Sequence, residues 1–148
     1  MHNTLAAGDY GLLDENTLAP RPSYWGALLW RQLMGTTVLD SGVPVRAGLH
    51  VYAHCQRGTP GGTSILVINP DRSLPQALVL ASASERFTLG ADNLRDGTVR
   101  LNGAPLELGP NDDLPHLAGT PTAAGALTFA PATITFLAVP TADNGACR

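Results

Sequence analysis

Few residues in this chain combine the type and the spacing that chemistry requires. Asp14 and Glu15 are adjacent carboxylates. Acid–base work needs two groups converging on one reacting bond, whereas neighbours on an extended strand point to opposite sides. In a turn they cap and solvate the entry to the element that follows. His50 and His54 stand four apart, a spacing that on a helix aims both imidazoles at one metal ion. On a strand rising about 3.3 Å per residue they lie roughly 13 Å apart, too far to share an ion. His116 sits in a Pro-flanked loop without a partner at useful spacing. Ser41, Ser64, Ser73, Ser82 and Ser84 lack the Gly-x-Ser-x-Gly elbow of a nucleophile, and the His next to Cys55 points to the other strand face. Gly58-Thr59-Pro60-Gly61-Gly62-Thr63 is glycine-rich but lacks the Lys and following helix of a phosphate loop, so it reads as a hairpin loop. Cys55 and Cys147 fit either two buried thiols or a bridge tethering the C-terminus. No catalytic set, metal site or cofactor is expected.

The elements that must position these residues fall into two styles. Residues 4–13 read as the last part of a buried parallel strand and its loop. A polar, Pro-rich turn over residues 14–21 follows. Pro22 suits the first position of a helix, where its missing N–H costs nothing. Trp25, Leu28, Leu29, Gln32 and Leu33 then recur at helical spacing and give one buried face, and Gly35 is placed to end the helix in a left-handed conformation. From Thr36 onward the period is two. Leu49, Val51, Ala53 and Cys55 alternate with His50, Tyr52 and His54. Further short strands are expected at 65–68, 77–80, 86–89, 99–101, 126–129 and 133–139. Asn69-Pro70-Asp71 is a turn signal and Asn102-Gly103 a tight-hairpin signal. Short strands at close spacing predict an antiparallel sandwich. A lone strand–helix unit cannot cover its own parallel strand, so the chain looks like the tail of something larger.

Bulk properties exclude several classes. The 148 residues suffice for one sizeable core plus an appendage. A net charge of −3, with nine basic residues that are all Arg, offers no electrostatic footprint for nucleic acid or an anionic membrane. No apolar span is long enough for a transmembrane helix, and the start carries no signal peptide. If the intact protein is exported, its address is expected upstream.

The motifs also resemble a known family, in order along nearly the whole chain. Gly8-Asp9-Tyr10-Gly11-Leu12-Leu13-Asp14-Glu15-Asn16, Pro20-Arg21-Pro22-Ser23-Tyr24-Trp25 and Leu33-Met34-Gly35-Thr36-Thr37-Val38-Leu39 look like the end of the catalytic barrel in heparanase-type β-glucuronidases, glycoside hydrolase family 79. Val51-Tyr52-Ala53-His54-Cys55, Leu66-Val67-Ile68-Asn69, Val99-Arg100-Leu101-Asn102-Gly103 and Ala146-Cys147 follow in the same order. The resemblance implies a mainly β fold: residues 1–35 as the terminal strand and helix of an incomplete (β/α)8 barrel, residues 36–148 as a β-sandwich. It implies that Cys55 and Cys147 form a disulfide, in an oxidising compartment. It implies that Gly8 and Tyr10 contribute backbone N–H groups to a uronic-acid subsite, although the residues alone read as a turn and a packing ring. The family's two catalytic glutamates lie on earlier barrel strands, so the chain alone is expected to be inactive. Its implied partners are the upstream barrel portion and, in the intact enzyme, a uronic-acid-containing glycan. The implied location is secreted, extracellular or membrane-associated. A stand-alone carbohydrate-binding or structural sandwich is the alternative.

Overall fold

The structure is a computed structural model that describes residues 5–6, 11–44 and 48–148. Its helix, α1 (Pro22–Leu33), begins at the proline and buries Trp25, Leu29 and Leu33, as the helical spacing predicts. It does not end as expected. Gly35 has no left-handed conformation; the helix stops at Met34, whose φ of −86° and ψ of 122° are extended, and the chain runs straight into β1 (Met34–Leu39). The last helical carbonyl, that of Leu33, is satisfied from across the fold by the Ser64 hydroxyl at 2.9 Å and the Arg57 N–H at 2.9 Å. No glycine turn is needed where other strands supply the donors. The boundary expected between residues 35 and 36 thus falls inside a strand.

Nine further strands follow: β2 (His50–Gln56), β3 (Thr63–Asn69), β4 (Gln76–Leu80), β5 (Ser84–Gly90), β6 (Arg100–Leu101), β7 (Ala104–Pro105), β8 (Thr120–Thr122), β9 (Gly125–Phe129) and β10 (Thr133–Val139). All but β7 and β8 were legible as apolar or alternating runs, and β7 follows the expected Asn102-Gly103 hairpin. The strands form an eight-stranded sheet in the order β1-β2-β3-β10-β5-β6-β7, with β8 on β5, and a two-stranded ribbon of β4 and β9. Every pairing is antiparallel. At Asn102-Gly103 both residues have positive φ, 49° and 90°, the twist that a two-residue hairpin requires.

The large sheet has a core on each face. Leu66, Phe136 and Phe87 stand side by side across β3, β10 and β5 and pack with Trp25, Leu29 and Leu33 of α1. On the opposite face Val67 and Leu137 pack with Leu127 and Phe129 of the ribbon. This is compatible with a β-sandwich, with one layer reduced to two strands. β10 lies between both cores, which explains why Thr135, Phe136, Leu137, Ala138 and Val139 are all buried.

Two polar links join the ribbon to the sheet. Asn69, 1% exposed, donates its side-chain amide to the carbonyls of Leu74, Phe129 and Ala130 at 3.0, 3.1 and 3.1 Å. Arg86 lays its guanidinium 4.9 Å from the centre of the Phe129 ring and donates to the Thr128 carbonyl at 2.8 Å. Desolvation lowers the Arg86 pKa.

Of the barrel strand expected over residues 4–13, only Leu5, Ala6 and residues 11–13 are described. They carry an isolated antiparallel bridge between Leu13 and Pro20 and a hydrogen bond from the Leu13 N–H to the Leu5 carbonyl at 2.8 Å.

Candidate functional site

Gly8 and Tyr10, the expected subsite residues, lie outside the described residues. The loop that follows them is well defined. The Asp14 N–H donates to the Ala19 carbonyl and the Arg21 N–H to the Leu12 carbonyl, both at 2.9 Å. Inside the loop, Asp14 Oδ1 accepts from the N–H groups of Asn16 and Thr17 at 3.0 Å and from the Thr17 hydroxyl at 3.1 Å. Its Oδ2 faces the Arg21 guanidinium at 3.2 Å. The backbone donors from Thr17 and Asn16, then the Thr17 hydroxyl and Arg21, hold the Asp14 pKa below the ordinary value. A general acid needs the opposite displacement. Asp14 therefore shapes the loop that carries the chain from the expected subsite into α1.

Asp71 has the same character. Its Oδ1 accepts from the N–H groups of Ser73 and Leu74 at 2.8 Å each, and those bonds lower its pKa. Among the described residues no group of three His, Cys, Asp or Glu side chains converges to hold a metal ion. His54 is engaged with the backbone and a ring: its Nδ1 is 2.8 Å from the Gly35 carbonyl, and Trp30 meets it edge-on at 5.1 Å.

Cys55 and Cys147 form the expected disulfide, with Cα atoms 5.3 Å apart across a separation of 92 residues. The clamp has a backbone component as well. The Gly61 N–H donates to the Cys147 carbonyl, and the Asn144 N–H to the Gly61 carbonyl, each at 2.8 Å. The C-terminus is thereby fixed beside the loop joining β2 to β3, which the glycine-rich segment forms as a hairpin connection.

Two features were missed in the sequence. Asn69 read only as a turn residue, yet it staples the two layers; nothing in one sequence separates an exposed Asn-Pro turn from a buried one. The other is an apolar groove of about 330 Å³ beside the first turns of α1, with Gly26 and Ala27 on one side and Leu89 and Ile134 on the other. Its residues come from three distant parts of the chain and share no motif.

No protein-family model matches the chain. Individual relatives do. It is 36% identical to the baicalin-β-D-glucuronidase of Scutellaria baicalensis, over 77% of this chain and 23% of that protein. It is 34% identical to the heparanase of Mus musculus over 95% of this chain and 29% of that protein. It is 29% identical to the inactive heparanase-2 of Homo sapiens over 99% of this chain and 29% of that protein. The mainly β fold, the disulfide and these matches define a glycosidase-type chain of the family 79 kind. Within that class it belongs to the heparanase-like family and is similar to the C-terminal portion of such proteins. The chain spans less than a third of the length of those three relatives.

Proposed function

We propose that the chain serves as the C-terminal part of a family 79 β-glucuronidase acting on uronic-acid-containing glycans. In this reading residues 1–35 supply the last strand and helix of a catalytic barrel, and residues 36–148 form the sandwich that braces it. The carrying observation is the match to a named glucuronidase and a named heparanase across most of the chain. Retaining glycoside hydrolysis needs a carboxyl pair about 5–5.5 Å apart, one acid and one nucleophile. Among the described residues the carboxyls with displaced pKa values, Asp14 and Asp71, are both lowered by loop hydrogen bonds. In this reading the catalytic glutamates belong to the upstream barrel portion, and the isolated chain is inactive.

A relative named inactive covers 99% of this chain at 29% identity, against 34% for a relative named heparanase. Such similar likeness fits a region that supports the catalytic barrel while activity is decided elsewhere. Gly8 and Tyr10 are assigned to the rim of the uronic-acid site, at the C-terminal end of a barrel strand. A glycine there lets the backbone approach closely, and N–H donors suit a planar carboxylate. The disulfide fits an oxidising setting, secreted or lysosomal.

The test is hydrolysis of a chromogenic β-glucuronide by the purified chain, alone and with the upstream barrel portion co-expressed. Activity only in the pair supports the reading. Activity of the chain alone, or none in a pair that assembles, overturns it.

A further inference from the structure

Gly26 sits in the middle of α1, where glycine is the poorest helix former after proline. Some glycines elsewhere in the fold answer a visible need. A Cβ on Gly35 would lie 2.5 Å from the Cys55 carbonyl oxygen, and one on Gly119 would lie 2.7 Å from the Phe87 ring. A Cβ on Gly26 meets nothing within 4 Å. No contact among the described residues therefore accounts for the missing side chain. What it leaves open is the groove of about 330 Å³ at the end of the large sheet, where β5 finishes and β10 begins.

The chemistry of that groove restricts its occupant. No charged side chain lines it, and Ser23 is its one polar side chain. A saccharide, dense in hydroxyls, would find almost no side-chain partners there. Leu94 and Ile134 on its wall are 56% and 38% exposed, and Trp30, one turn along the same flank of α1, is 40% exposed. An apolar surface of this kind suits a permanent contact rather than a transient one. Most of the length of each relative lies outside the region this chain matches, and under the proposed function that remainder is the partner.

We propose that this groove seats the rest of the heparanase-like polypeptide, which places a bulky apolar side chain over Gly26. The inference rests on the proposed function and adds to it the surface through which the upstream portion is held. The glycine is then kept for the close approach of that partner, at the expense of helix propensity.

The experiment compares wild type, Gly26→Ala, Gly26→Leu and Gly145→Leu. Gly145 is a matched control, exposed at the C-terminal clamp with nothing within 4 Å of its own added Cβ. Melting of the chain alone comes first: Gly26→Ala melts higher than wild type, and Gly26→Leu no lower. Affinity for the co-expressed upstream portion is read second. Gly26→Leu weakens it at least tenfold, and Gly145→Leu leaves it unchanged. Undiminished affinity with leucine at position 26 overturns the groove assignment while leaving the proposed function standing. A wild-type chain that dimerises alone, and becomes monomeric with Gly26→Leu, overturns it in favour of a second copy. Wild type that fails to associate at all removes the proposed function itself.

Discussion

Gly35 passes so close to Cys55 that a Cβ on it would stand 2.5 Å from the Cys55 carbonyl oxygen. The two residues lie on neighbouring strands, β1 and β2, where the Gly35 carbonyl also meets the His54 ring at 2.8 Å. The collision is with backbone, which cannot swing aside as a side chain can. Gly35→Ala is therefore expected to destabilise the chain by about 1–3 kcal/mol through overpacking. Denaturant unfolding measures this, and a variant as stable as wild type would show that β1 can shift without cost.

The disulfide carries a separate expectation. Closing a loop of this length stabilises a chain by about 4–5 kcal/mol in the chain-entropy picture. Cys147→Ser should lower the melting temperature by about 10 °C in oxidising buffer and leave it level with wild type under reductant. Equal melting of both proteins in oxidising buffer would mean that the backbone clamp at Gly61 suffices.

Asn69→Ala should be among the most damaging single changes. It leaves the carbonyls of Leu74, Phe129 and Ala130 without their shared donor, beside a core that admits little water. An expected loss of about 2–4 kcal/mol follows from stranding buried acceptors and opening a small void. Urea titration of the variant, with loss below about 1 kcal/mol, would contradict the staple.

Asp14 gives a pH signature of defined sign. Its folded pKa is depressed below the ordinary value of 3.8, so its contribution is complete above that value. It is lost as pH falls through the depressed one. Asp14→Ala should lie below wild type at neutral pH and converge with it in acid. Stability curves that stay parallel down to strongly acidic pH would exclude the loop-shaping role.

Much of the architecture was legible because it follows local periodicity. The helix declared itself through Pro22 and the Trp25–Leu29–Leu33 spacing, and most strands through runs such as Ile65-Leu66-Val67-Ile68. Gly35 misled because a glycine after a helix has two uses, a left-handed turn or a close approach. Only the position of Cys55 decides between them. β8 was missed because three residues of Thr and Pro have no apolar pattern. The disulfide came from resemblance rather than from the residues, since two cysteines alone fit free thiols as well. Asn69 and the groove at Gly26 depend on segments that meet only after folding. The expected subsite at Gly8 and Tyr10 rests on the resemblance.

β10 occupies the middle of the large sheet, between β3 and β5, yet it comes last in the chain among the described strands. Until Thr133–Val139 has left the ribosome, the β1–β2–β3 half and the β5–β6–β7 half have no common edge, and neither core can close. Each half waits with an unsatisfied strand edge and an apolar face in water, a state prone to association. Folding must then begin from long-range pairings rather than grow behind the emerging chain, which makes it slow for its size. A nascent chain stopped short of residue 133 should therefore be captured by chaperones or aggregate. The same position makes Thr133–Val139 the segment whose arrival joins the two halves into one folded object.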